Sequence, residues 1–352
     1  MGSRTFLFWF GFGARFNLSS ASKRNMLNSG LKTSQAHPRE KFYLLEAIIS
    51  TYMCKEKMNP VASSEGVEVY CPKNGRCSFF NSPYPMHCSF AGVDIYPERP
   101  FGNAAPSPIK GEVVKVRLLK CPPAKNFEGL EHDYLILLRS LENPRRWVKL
   151  LHVKPSVEVG DIVELGEELG ILLRSGFFDP WTDPHIHVEV RSPLDPYRAM
   201  GGFKFKRCME VDESEAVEDL SGVVVESKLE YSLVSLNKKF KSGVPVELNG
   251  QVGLLDAGIP HYKWFGIHLN NLPRLGEAVR LCGRKIGEVR LVYSNMCVAE
   301  CCHTAFKLNG EPVRLSFYLY PSSSSVPLVK VIPYKSGELK LKKFEKTFLI
   351  IS

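Results

Sequence analysis

The sequence contains no uninterrupted run of about eighteen apolar residues, and so offers no candidate for a membrane-spanning helix. It has no Cys-x-x-Cys pair, which leaves out the paired zinc knuckle, and no His-Glu-x-x-His stretch, which leaves out the helical metalloprotease arrangement. Helical periodicity is scarce, with Lys41 to Tyr52 the best helix candidate. No acidic residue precedes Glu40, and no aromatic-and-basic signature of an RNA-recognition motif accompanies the basic residues, so no specific nucleic acid is implied as a partner.

What is present is an ordinary globular composition, 44% hydrophobic and 24% charged over 352 residues, which is enough chain for two domains with separate cores. The net charge of +9 is concentrated at the two ends, in the acid-free first stretch and in the Lys-rich segment Lys335 to Lys346, and favours acidic surfaces in general. The 10 cysteines are scattered, as expected of free thiols in a reducing compartment, and slightly favour the cytoplasm. Two groupings could be more than that. Cys71 and Cys77 bracket a turn and could be bridged, while Cys297, Cys301, Cys302 and His303 lie close enough for a soft-metal cluster. The apolar run Thr5 to Ala14, between Arg4 and Arg15, could be a weak export or transit segment; the start at Met26 or Met58 is the alternative.

From Val67 onward, short alternating apolar runs are separated by Gly, Pro and Asn, the pattern of β-strands and tight turns. Gly111 to Leu119, Tyr134 to Leu138 and Trp147 to Val153 read as consecutive strands of a compact antiparallel sheet or barrel-sandwich. The expected organisation is a basic extension over 1–57, a β domain over 58–209, an acidic linker over 210–220 and a second β-rich domain over 221–352. Val159 to Gly170 and Leu275 to Gly287 share a Gly-acid turn, an apolar strand and a second turn, either by duplication or by common corner chemistry.

The sharpest local signal is Asp183-Pro-His-Ile-His-Val-Glu-Val190, where strand alternation turns His185 and His187 to one face. Two imidazoles so placed can reach one small cation. Upstream, in order, stand His87 in Pro85-Met-His-Cys88, Asp94 in Ala91-Gly-Val-Asp94, and His152 in Leu150-Leu-His-Val153. Three ligands of mixed imidazole and carboxylate type leave a fourth tetrahedral position for water, which distinguishes a catalytic zinc from a structural one. His132, His261, His268 and His303 have no matching context and read as structural or surface histidines.

The order and contexts of these residues, over roughly Pro85 to Tyr197, resemble the M23 (lysostaphin-like, LytM-type) zinc endopeptidases. Pro108 to Val113 resembles that family's glycine turn into a strand, Val157 to Gly170 its Val-x-x-Gly run, and Asp183 to Val190 its Pro-His-Leu-His-Phe-Glu-Val strand. The resemblance implies a zinc cofactor held by His87, Asp94 and His187, with His152 and His185 assisting catalysis, and a peptide or cell-wall-like, Gly-rich substrate. One departure stands out. The family spaces its first pair as His-x-Gly-x-Asp, whereas the residue four before Asp94 is Phe90, so a short insertion has to carry His87 to the metal. The alternative is a non-catalytic M23-like binding or scaffolding module with a degenerate site. A biotinyl or lipoyl carrier, which has similar glycine turns, lacks an attachment-lysine hairpin here.

Overall fold

Alternating side chains and closely spaced turn residues give a nearly all-β architecture in the computed structural model, which describes residues 57–211, 215–322 and 325–352. The anticipated basic extension, the helix at Lys41 to Tyr52 and the Thr5 to Ala14 run lie outside the described residues. Among the described residues the one α-helix is the single turn Pro85–Cys88, opened by a proline at its first position, where the missing N–H costs nothing.

The element that matters most for the site is a seven-stranded antiparallel sheet. Its order is Ile162–Val163, Gly111–Lys120, His132–Ser140, Trp147–Leu151, Ile186–Arg191, Val93–Tyr96 and Arg76–Ser78. The three runs expected as consecutive strands are direct neighbours in it. One face carries Ile136, Leu150, Val188 and Val93, fully buried in the main core. The other face is polar towards one edge, because the period of two sends His187, Glu189 and Arg191 to the side opposite Val188 and Val190. Two three-stranded sheets flank it, one of them Ala104–Pro106, Glu168–Leu172 and Val153–Pro155.

Later in the chain, six strands close on themselves: Val244–Leu248 pairs with Ala278–Leu281, then follow Arg284–Tyr293, Met296–Cys301, Trp264–His268 and Gln251–Ile259, which returns to Val244–Leu248. Gln251–Ile259 is long enough to leave this barrel at Ala257 and pair with Glu311–Phe317 in a second, open stretch of sheet. The shared hairpin pattern noted above does not give a shared structure. Leu275 to Gly287 contains a true hairpin, with Cys282 and Gly283 at φ 50 and 71 between paired strands. Val159 to Gly170 is a corner whose two strands enter different sheets.

Around the anticipated acidic linker, Val211 belongs to the first hydrophobic core and Val217 and Leu220 to the second. The first core also takes in Leu254, Met296, Val298 and Leu319 from the later strands, so the barrel packs directly on the seven-stranded sheet. Gly266 is required there: a Cβ at that position would lie 1.8 Å from the Phe80 ring, which fills the space over the barrel strand.

Neither cysteine grouping forms the structure considered above. Cys71 and Cys77 are not bridged to each other; both are buried in the core, with the Cys71 thiol donating to the Arg76 carbonyl at 3.4 Å. Cys297 is buried in a barrel strand, the Cys301 thiol donates to the Cys302 carbonyl, and these residues form no group of converging ligand atoms among the described residues.

Candidate metal centre

Asp94 sits in the middle of Val93–Tyr96, paired in register with Ser78 on one side and His187 on the other. Gly92 is needed beside it, since a Cβ there would come within 3.0 Å of the His187 ring. His187 Nδ1 lies 2.7 Å from Asp94 Oδ1, and its Nε2 lies 3.2 Å from Glu189 Oε1, two residues along on the same strand face. Burial alone would lower the His187 pKa, but these two acceptors raise it to about 9. Glu189 is itself buried, and is held by Lys149 at 2.8 Å and Arg191 at 3.1 Å.

His87 reaches this pair through the single helical turn, rather than through a bulge in the strand. The turn ends at Ser89, and Phe90, at φ 65, redirects the chain into the Asp94 strand. His87 Nε2 comes within 3.4 Å of Asp94 Oδ1. Its Nδ1 is 2.7 Å from the Phe79 carbonyl, which only accepts, so Nδ1 carries a proton and Nε2 is the ring nitrogen left to act as a ligand. That Nε2 is buried and has no hydrogen-bond partner. One donor atom from each of His87, Asp94 and His187 lies within 4.8 Å of the others, a buried cluster that could hold a metal ion. It fits a borderline metal such as zinc: the residue types are right, one imidazole is locked in the ligating tautomer by a backbone carbonyl, and another has a carboxylate behind it.

The remaining two candidates lie beside the cluster. His185 precedes the strand, donates Nδ1–H to the Asp183 carbonyl at 2.9 Å, and brings Nε2 to 3.8 Å from Asp94 Oδ2. Burial pushes its pKa down to about 4, only partly offset by Asp94, so its Nε2 is an unprotonated acceptor near neutral pH. His152 stands with its ring centroid 4.8 Å from that of His185. It adopts φ 73, a rare region for a residue with a side chain, and Asp133 holds it there, accepting from the His152 backbone N–H at 3.0 Å and from Nδ1 at 2.7 Å. Burial would raise the Asp133 carboxyl, but His152 and the Ser175 hydroxyl at 2.7 Å hold it below the usual carboxylate range. Asp94 is likewise held well below its ordinary range: burial acts upward, but His87 and His185 and the hydrogen bond from His187 outweigh it.

Several site residues were not singled out by sequence reasoning. Glu189 was readable, since its spacing after His185 and His187 extends the alternation to a third polar residue on one strand face. Asp133 gave only the weak signal of an acid next to His132, because its partner His152 is 19 residues away. Asp256 and Lys330 gave none. Asp256 accepts from Ser78 Oγ and the Phe79 N–H, both at 2.6 Å, fixing the segment whose carbonyl orients His87. Lys330 pairs with the Asp183 carboxylate and donates to the Trp181 carbonyl at 2.8 Å, while the Tyr231 hydroxyl donates to Asp183 at 2.7 Å. The later strands thus brace the loops that bear His87 and His185.

Two residues of the cluster, Asp94 and His187, line a cleft of about 590 Å³, while His87 is fully buried and outside its lining. Tyr84 stacks edge-on against His187 with centroids 5.2 Å apart, and Phe178 packs on both His152 and His185 at 4.7 and 5.1 Å. Asp94, His152, His185 and His187 all open into it.

A family model described as "Domain of unknown function (DUF8155) N-terminal domain" matches residues 67–207, the segment that contains all five candidate residues. Among solved structures, the chain is similar to one titled "NMR solution structure of lysostaphin", with 14% identity and a TM-score of 0.23 over 65% of this chain and 88% of that one. No curated protein matches the sequence.

Proposed function

We propose that this chain is a zinc-dependent metalloendopeptidase of the M23 type that hydrolyses peptide bonds, in cell-wall or similar peptides. The observation that carries the reading is the convergence of His87, Asp94 and His187 within 4.8 Å, the last two lining a cleft, with a buried His87 Nε2 that makes no hydrogen bond. His87, Asp94 and His187 would hold the ion, with Glu189 behind His187 and the Phe79 carbonyl behind His87. Bound zinc supplies Lewis acidity, lowering the pKa of a water molecule and polarising a carbonyl.

The chain's own residues do the rest. His185, kept neutral by burial and with Nδ1 already donating to a backbone carbonyl, has Nε2 free to take a proton. His152, backed by Asp133 in the manner that fixes an imidazole's tautomer, is suited to hydrogen-bond a developing oxyanion and pass a proton to the leaving amine. Phe178 packs against both of these rings, and Tyr84 against His187, which limits water at their faces.

Metal analysis of the purified protein beside His87→Ala and His187→Ala tests the ligand set. Stoichiometric zinc in the wild type, lost in both variants, is expected; a zinc-free wild type under non-chelating conditions overturns it. His185→Ala should keep zinc and lose hydrolysis of a Gly-rich peptide, and undiminished turnover would remove its assigned role. One observation favours a second reading, a non-catalytic binding module: both His187 nitrogens already face carboxylates, so the cluster has an internally neutralised form of its own. Stoichiometric zinc with no hydrolysis of any peptide would select it.

A further inference from the structure

The row of residues that includes Asp94 and His187 runs on across three more strands. In register, Asp94 faces His187, His187 faces Leu151, Leu151 faces Leu135, and Leu135 faces Arg117. All five line the cleft. Neighbouring strands lie about 4.8 Å apart, which places Arg117 about 14 Å from His187 along the row. Leu119, two residues beyond Arg117 on the same face, and the half-exposed ring of Tyr197 border the far end.

Arg117 is exposed at the cleft's rim, its guanidinium 5.4 Å from the centre of the Tyr197 ring, and it forms no ion pair with any carboxylate among the described residues. The other arginines along this sheet are engaged: Arg139 pairs with Glu112, and Arg191 with Glu189. Arg117 is therefore an unneutralised cation at one end of an apolar floor whose other end is the candidate metal centre.

We propose that the cleft takes an extended peptide running across the strands, with bulky apolar side chains over Leu151, Leu135 and Leu119 and a carboxylate against Arg117. An extended chain advances about 3.5 Å per residue, so the carboxylate lies about four residues from the bond held at His187. The proposal rests on the peptidase reading above and narrows its substrate. A glycine-only chain would leave the half-buried Leu119 and the exposed part of the Tyr197 ring in contact with water, whereas apolar side chains gain binding in proportion to the area they cover. The carboxylate is either an acidic side chain or the free C-terminus of the peptide.

Fluorescence anisotropy on the intact zinc-loaded protein measures binding, and mass spectrometry of the same mixtures reads cleavage. The probes are labelled peptides with a central Gly–Phe bond flanked by Leu and Ala. A Glu stands about four residues from that bond on either side; companions carry Gln in its place, a peptide ends in a free carboxylate at that point, and decaglycine is the control. In one of the two orders, the Glu or free-carboxylate peptide should bind about fivefold tighter than its neutral counterpart, the upper range for an exposed ion pair. Arg117→Gln should abolish that preference without changing the melting temperature, and decaglycine should bind at least about tenfold more weakly than the apolar peptides. Equal affinity for Glu and Gln in both orders, a preference that survives Arg117→Gln, decaglycine binding as tightly, or no binding by any probe overturns the proposal. Preference without cleavage removes the peptidase reading and keeps this one; cleavage without preference does the reverse.

Discussion

Two buried aspartates, Asp94 and Asp256, each gather histidine and other donors, yet their surroundings differ. Asp94 is approached by three imidazoles, at 2.7, 3.4 and 3.8 Å, and lines an open cleft. Asp256 is approached by one, His268 at 3.2 Å; Ser78 and the Phe79 N–H take its other lone pairs. The unpaired nitrogen of His268 does not make a second site, because Phe79 and Phe80 pack on that ring at 5.1 and 5.6 Å, and the only metal-capable group among the described residues is that of Asp94. The difference teaches that a buried His–Asp pair is not in itself a reactive feature. Several ligand atoms converging on one point, and access to it, separate a candidate centre from a structural clamp.

The comparison breaks if both aspartates behave alike when altered. Asp94→Asn should lower zinc affinity by more than about 100-fold, beyond the range of substitutions behind a ligand, as read by competition with a chromophoric chelator. Asp133→Asn should leave zinc bound and lower peptide turnover by about 100-fold, because His152 loses the acceptor that fixes its tautomer; a loss of zinc instead would show that Asp133 acts on the metal cluster. Asp256→Ala should cost about 2 kcal/mol in urea unfolding, since Ser78 Oγ, the Phe79 N–H and His268 are left without an acceptor in the interior. Its zinc affinity should change by less than about tenfold, the lower end for a residue behind a ligand.

The smallest effect concerns His261, whose two ring nitrogens are buried without partners. Burial, with Arg314 adding to it, pushes its pKa down to about 3. The unfolded chain then binds a proton that the folded chain refuses, so stability falls as pH drops below about 6.5 toward 3. Between about pH 7 and 5.5 the loss should be about 1 kcal/mol, and His261→Leu should flatten it. An unchanged slope in that variant would assign the acid sensitivity elsewhere.

The β architecture was legible because strand alternation is a local property: Gly111–Lys120, His132–Ser140 and Trp147–Leu151 are visible as runs and fall beside one another. Closure of the barrel was not, because it depends on Val244–Leu248 pairing with two strands at once, and register between distant strands leaves no mark on either. At the site, the His185 and His187 spacing and the Gly before Asp94 were readable. His87 was ambiguous by spacing, since the distance it covers is set by one helical turn and a left-handed Phe90 rather than by residue count. The braces were invisible because their partners lie far off in the chain, 177 residues from Phe79 to Asp256 and 147 from Asp183 to Lys330.

Those braces bear on the life of the molecule during synthesis. A ribosome that has released the chain as far as Met209 has delivered His87, Asp94, His152, His185 and His187, and with them Arg76, one of the two cations paired with Asp183, but not the carboxylate that fixes the Phe79 segment or the Lys330 ammonium. The segment behind His87 gains its brace once Asp256 has emerged, and the loop bearing His185 gains its second cation only with Lys330. An incomplete product that stops near Met209 thus carries all five candidate residues without the full set of contacts that braces them.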